Sequence, residues 1–275
     1  MMRSQMIETG GGRTQTRVFE AGSGTPLLYL HSAGGLYEGD PFIEALGAHY
    51  HVYAPSLPGY LDSEGADSLH TMLDFTLWGF DVMEALGLEQ PLVVGHSMGG
   101  MIAAEMASLN PRAFRGLGLI AAAGLWLDEH PMPDIFAKLP FELPELLFSN
   151  PEWGTQFITE GYDFGSSQDD MASFIVRFQD ENFLQEFLIK NARRMGTAGK
   201  ILFPIPERGL SERLYRAKLP TVIVWGEADK LTPMPYAHAF KAHLPHAELV
   251  TLPGAAHMAP YEQTAEVIAA LRALH

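Results

Sequence analysis

Four stretches of this chain are apolar at almost every position over the length of one strand. They are Pro26-Leu27-Leu28-Tyr29-Leu30, Leu92-Val93-Val94, the run over 117–122, and Thr221-Val222-Ile223-Val224-Trp225. A strand without a polar face cannot meet water on either side, so each must lie inside a sheet that is covered on both faces. Between these runs, apolar residues recur at helical spacing. Residues 69–86 carry Leu73, Leu77, Phe80, Met83 and Leu86 with Gly87 as a stop, and a helix over 101–109 ends at Asn110-Pro111. Further strands are expected at 16–21, 50–54 and 248–252, helices at 235–244 and 262–274, and an amphipathic stretch at 41–49. Strands alternating with helices make βαβ units, and their crossovers require an α/β fold with a mostly parallel, doubly wound sheet flanked by helices.

One segment breaks this alternation. Between 128 and 216 there are helical patterns but no buried strand, and ten of the 16 phenylalanines fall there. Such a segment has an apolar face of its own and is no linker. The expected organisation is an α/β core, residues 1–126 and 217–275, interrupted by a helical lid over 127–216. Charge narrows the function. With 33 acidic and 18 basic side chains, the net charge of -15 leaves no basic footprint for nucleic acid. The absence of cysteine excludes a disulfide scaffold and thiolate-ligated zinc. No motif for a metal, nucleotide or flavin is visible, so no cofactor is expected. The longest uncharged apolar run, 117–127, is too short to span a membrane, and residues 1–13 lack the apolar centre of a signal peptide. The expectation is a cytoplasmic globular protein acting on a small molecule.

Gly95-His96-Ser97-Met98-Gly99 follows the strand Leu92-Val93-Val94 and precedes the small-residue stretch Ile102-Ala103-Ala104. A serine on a sharp strand-to-helix turn presents its hydroxyl in strained geometry, and glycines two residues to either side let strand and helix pass. The amides at the start of the following helix face any oxyanion that forms there.

A serine hydroxyl is a weak nucleophile at neutral pH and needs a base, which in turn needs an orienting carboxylate. In this architecture the chain order is serine, acid, histidine. Of 11 histidines, only His257 lies in the loop after the last expected strand, Pro253-Gly254-Ala255-Ala256-His257, His275 being terminal. His238, His243 and His246 fall on or after a helix and are expected at the surface, while His31 is expected to brace its loop by hydrogen bonds and His96 to be a packing residue. The acid is expected after the strand at 221–225, where Trp225-Gly226-Glu227-Ala228-Asp229 offers two carboxylates. Asp229 is preferred because the turn sets it beyond the strand end, with Glu227 as its rival. The oxyanion donors are expected to be the Met98 amide and the Ala33 amide, with Ser32 as the rival to Ala33.

The chain resembles the α/β-hydrolase family over nearly its whole length. The matching stretches are His31-Ser32-Ala33-Gly34-Gly35, Pro55-Ser56-Leu57-Pro58-Gly59, the pentapeptide at 95–99, Trp225-Gly226-Glu227-Ala228-Asp229 and Gly254-Ala255-Ala256-His257. The resemblance implies a sheet of about eight strands, a lid, and Ser97, Asp229 and His257 as a catalytic triad. Two stretches depart from the family's pattern: His31-Ser32 stands where His-Gly is usual, and Ala54 to Gly59 where Asp-x-x-Gly is common. Branches that use an aspartate nucleophile are excluded by Ser97.

The expected function is hydrolysis of a carboxylic ester of a small, mostly apolar, neutral substrate through an acyl-enzyme. The alternatives are a carbon–carbon hydrolase acting on a vinylogous diketone acid, and a lactonase or amidase using the same triad. The carbon–carbon reading asks for a lid arginine to hold the substrate carboxylate, and Arg177 is the candidate. Between 128 and 190, thirteen acids face three bases, Lys138, Arg177 and Lys190, which reads first as a solvated helical face and, as a functional feature, would disfavour an anionic substrate near the lid.

Overall fold

The computed structural model describes residues 2–161, 179–203 and 208–274. Eight strands form one sheet in the order β1-β2-β4-β3-β5-β6-β7-β8. They are β1 Arg3–Thr9, β2 Thr14–Gly22, β3 Pro26–Leu30, β4 His51–Pro55, β5 Leu92–His96, β6 Gly116–Ile120, β7 Thr221–Gly226 and β8 Glu248–Leu252. The pairs β1–β2 and β2–β4 are antiparallel, and the others are parallel.

Both faces of the central strands are covered, as their apolar runs require. Successive side chains point to opposite faces, so Leu28, Leu30, Val93, Leu117, Leu119, Ile223 and Trp225 join one core. Leu27, Tyr29, Leu92, Val94, Ile120, Val222 and Val224 join the other. The first core is closed by Phe75, Trp78 and Val82 of α2 (Met72–Ala85), Ile102 and Met106 of α3 (Met98–Leu109), and Tyr236 and Phe240 of the helix Met234–His243. The second is closed by Phe42 and Ile43 of α1 (Pro41–Leu46) and by Val267, Ile268 and Leu271 of the helix Thr264–Leu271.

β3 lies between β4, which follows it, and β5, which comes later, so the winding direction reverses between β3 and β5. Loops leaving such a pair turn to opposite sides and open a crevice at the carboxyl ends of the strands. The loops after β3, β5, β7 and β8 all leave at that edge. No strand lies between β6 and β7 among the described residues, which there form α4 (Leu143–Leu147), α5 (Pro151–Gly161) and α6 (Glu181–Leu202) with short 3-10 turns.

The structure corrects several expectations about the elements. An additional edge strand, β1, covers residues 3–9. The helix after the pentapeptide starts at Met98, three residues earlier than its apolar pattern suggests. The expected helix over 262–274 is broken at Gln263 (φ -137°) into α8 (Ala259–Glu262) and α9 (Thr264–Leu271), the helix Met234–His243 being α7. Between β6 and β7, Phe141 is exposed, whereas Phe148, Trp153 and Phe157 pack ring against ring. Phe174 and Phe178 lie outside the described residues.

Candidate active site

β5 delivers the chain into a turn where Ser97 has φ 55° and ψ -115°, a conformation that L-residues adopt only under constraint. The constraint is visible in the backbone. The Ser97 amide donates to the Ile120 carbonyl (2.9 Å), and its carbonyl accepts from Met101 (3.1 Å) and Ala123 (3.0 Å). A Cβ on Gly95 would sit 2.2 Å from the Gly99 carbonyl oxygen, and one on Gly99 would sit 2.0 Å from that of Leu30. Glycine is therefore required at both positions by close approach of strand and helix.

Three elements bring the expected polar residues together. Ser97 Oγ lies 2.9 Å from His257 Nε2, and His257 Nδ1 lies 2.8 Å from Asp229 Oδ2. All three residues are buried. Because the carboxylate can only accept, it fixes the tautomer with the proton on Nδ1 and leaves the Nε2 lone pair facing the serine hydroxyl. Asp229 is itself held by four donors. Oδ1 accepts from the Leu231 amide (2.9 Å) and the Thr232 amide (2.8 Å), and Oδ2 accepts from Thr232 Oγ1 (2.8 Å) as well as from the imidazole. Glu227, the rival acid, points away and accepts from Thr251 Oγ1 (3.1 Å).

The two other buried histidines brace loops. His31 Nε2 accepts from the Leu57 amide (3.0 Å) and Nδ1 donates to the Ser32 carbonyl (2.7 Å), tying the loop after β3 to the one after β4. Burial lowers its pKa to about 4. His96 Nε2 donates to the His257 carbonyl (2.9 Å), and burial lowers its pKa to about 3. Its side chain therefore supports the loop that carries His257. Sequence reasoning missed that role, and it missed Thr232. An aspartate followed three residues later by a threonine is a turn pattern that could have signalled the second. Nothing local signals the first.

The Ala33 and Met98 amides donate to no acceptor among the described residues. The Ala33 carbonyl is turned away from the site and accepts from Tyr60 (3.1 Å). Ser32, where glycine is usual, does not take a left-handed backbone, and its Oγ accepts from the Gly34 amide (3.3 Å). The loop thus has no need of glycine's freedom there. Arg177 lies outside the described residues. No cluster of three metal-ligating side chains occurs among the described residues.

Ser97 opens onto a cavity of about 70 Å³ whose walls include Met101, Leu125, Ile135, Phe136, Ile201 and Leu231. Arg208 is its one charged lining residue among those described, and Arg208 Nη1 donates to the Lys200 carbonyl (2.9 Å). A larger cavity of about 570 Å³ lies beside Gly34, Gly35 and Tyr60 but touches none of Ser97, Asp229 and His257. The smaller cavity is the one that Ser97 lines. No described helix is long and apolar enough to cross a membrane.

Comparison with known proteins agrees with this architecture. The dihydrolipoyllysine-residue acetyltransferase component of an acetoin cleaving system from Pseudomonas putida is 28% identical over 96% of this chain, which spans 66% of that relative's length. Lipase 1 of Psychrobacter immobilis is 27% identical over 92% of this chain and 78% of its own length. A 2-hydroxy-6-oxo-6-phenylhexa-2,4-dienoate hydrolase of Burkholderia cepacia is 26% identical over 93% of this chain and 89% of its own. Among solved structures, a bacterial membrane phospholipase A superposes with a TM-score of 0.76 at 19% identity, covering 99% of this chain and 85% of that one. The family model for the alpha/beta hydrolase fold matches residues 25–264. The chain belongs to the α/β-hydrolase fold family.

Proposed function

We propose that the protein is a serine hydrolase that cleaves a carboxylic ester of a small, mostly apolar, neutral substrate. The observation that carries this reading is the relay from Ser97 Oγ to His257 Nε2 (2.9 Å) and from His257 Nδ1 to Asp229 Oδ2 (2.8 Å), at the wall of an apolar cavity. Ser97 Oγ attacks the ester carbonyl while His257 takes its proton, and Asp229 stabilises the imidazolium without accepting that proton. The carbonyl oxygen becomes an oxyanion that the Ala33 and Met98 amides bind. His257 returns the proton to the leaving alcohol, then activates the water that releases the acid and restores Ser97. Residues 127–216 act as a lid over the core formed by 1–126 and 217–275. The hydrocarbon side chains of Ile135, Phe136 and Ile201 in the cavity wall support that reading and favour an apolar acyl group.

The test is a fluorophosphonate label at Ser97 followed by p-nitrophenyl esters of graded acyl length. Ser97→Ala and His257→Ala should each lower kcat by ~10³-fold or more, with a double variant no worse than either. Asp229→Asn should cost ~10²-fold or more and Glu227→Gln about twofold at most. Full activity in Ser97→Ala overturns the reading. A second reading, carbon–carbon cleavage in a vinylogous diketone acid, is favoured by the resemblance to the Burkholderia hydrolase. It predicts turnover of such an acid in preference to every neutral ester in the panel.

A further inference from the structure

The backbone around His257 is held at three consecutive residues, and the holders come from different parts of the chain. His96 Nε2 donates to the His257 carbonyl (2.9 Å). The Met258 amide donates to the Leu147 carbonyl (3.1 Å), at the end of α4 in the insertion. The Ala256 amide donates to Glu262 Oε2 (2.7 Å). Glu262 closes the one-turn helix α8, so its side chain folds back over the loop it has just left. Its other oxygen, Oε1, reaches into the insertion, where it accepts from both the amide (2.7 Å) and the hydroxyl (2.6 Å) of Ser149.

The same short segment of the insertion also touches the loop of the acid. Lys230, next to Asp229, donates through Nζ to the Glu145 carbonyl (3.1 Å). Residues 145, 147 and 149 are therefore stitched in turn to the Asp229 loop, to the residue after His257 and to Glu262. Only the last of these ties runs through a side chain that bonds both partners at once. A carboxylate suits this place because all three partners are donors and each oxygen has lone pairs to accept them, with the strength of charge-assisted bonds.

We infer that Glu262 is a positioning residue for His257, which fixes the base loop against the insertion so that the imidazole stays within reach of Ser97. The inference rests on the reading of His257 as the base. A carboxylate bridging the Ala256 amide and Ser149 transmits any displacement of 145–149 to the residue adjoining the base. An imidazole displaced by ~1 Å is enough to lose ~10²-fold in rate. Glu262 touches neither Ser97 nor the cavity beside it, so its effect is on the chemical step and not on substrate affinity.

The test is kcat and KM on the best ester of the panel for Glu262→Ala, Glu262→Gln and Ser149→Ala, each checked for native fold by circular dichroism. Glu262→Ala should lower kcat by ~10- to 100-fold with KM within about twofold. Glu262→Gln keeps the volume but turns one acceptor into a donor facing another donor, so it should lose nearly as much. Ser149→Ala keeps the Ser149 amide and should lose a smaller factor. In a His257→Ala background, Glu262→Gln should cost nothing further, because residues acting through one group are not additive. An unchanged kcat in Glu262→Gln, or an equal loss with and without His257, overturns the inference. If Glu262→Ala does not fold, Glu262→Gln and Ser149→Ala decide alone. Full activity in His257→Ala would instead remove the base reading, a result distinct from an inert Glu262.

Discussion

His31 and His96 are buried imidazoles that brace loops, and their neutrality links the site to pH. Burial lowers His31 to about 4 and His96 to about 3, whereas each titrates near ~6.5 in an unfolded chain. Below that pH the unfolded state takes up two protons that the native state refuses, so stability falls as pH falls. Asp40 opposes them. Its carboxyl caps α1, accepts from Tyr261 (2.9 Å), and is raised by burial to about 6. Between the ordinary aspartate range and that value the native state holds a proton the unfolded chain has lost, a contribution that fades as pH rises. Two histidines against one carboxyl leave a net of one proton. These three groups therefore contribute a loss of roughly 1.4 kcal/mol per pH unit on acidification from pH 6 to 4.5, to which carboxylates held below their usual range, such as Glu20 and Asp62, add as pH falls. Urea midpoints across that range measure it, and His96→Asn should flatten the slope because His31 and Asp40 then nearly cancel. At this scale the candidate site was legible where a residue's place follows from chain order, as for Ser97, His257 and Asp229, whose side chains the structure brings together. It was illegible where the partner lies far along the chain. His96 and His257 are 161 residues apart, and nothing local to either announces their bond.

Elements were readable wherever burial leaves a pattern. β5, β7 and β8 lie within two residues of their expected ends, because every position on β5 and β7 is buried and turn residues bound all three. β1 left no such mark. Its sequence Arg-Ser-Gln-Met-Ile-Glu-Thr is exposed at nearly every position and is held by pairing with β2, a tertiary fact. The start of α2 shows the reverse case, in which local chemistry overrules apolar spacing. The pattern suggested residue 69, but Thr71 and Asp74 form a reciprocal cap, with the Asp74 amide donating to Thr71 Oγ1 (3.3 Å) and the Thr71 amide to Asp74 Oδ2 (2.8 Å). Thr71 Oγ1 also donates to Asp74 Oδ2 (2.8 Å), and this bond is the chief cause that lowers the Asp74 pKa, followed by the Thr71 amide. Thr71→Ala should cost ~1 kcal/mol in a denaturant titration and leave turnover of the proposed ester substrate unchanged, since the cap is formed by residues that do not line the Ser97 cavity.

Across the whole molecule, the net charge of -15 sets a long-range field that a neutral ester ignores and a carboxylate-bearing one does not. A neutral ester should therefore exceed its carboxylate analogue in kcat/KM at low ionic strength. The gap should narrow as salt shortens the screening length to ~3 Å at 1 M. Steady-state kinetics on one matched pair at two salt concentrations measure both effects, and a gap that widens with salt would contradict the argument. The sheet itself has a consequence in time. Ser97 and His257 meet across 160 residues, and the two strands that precede Asp229 and His257, β7 and β8, are the last in the chain and lie at one edge of the sheet. Translation at roughly 5–20 residues per second separates the synthesis of the serine from that of the histidine by roughly 8–30 s. Throughout that interval Ser97 is an ordinary alcohol on a growing chain. On the proposed reading the serine is made early and gains its base last, so a half-made chain holds no reactive serine to turn on the esters around it.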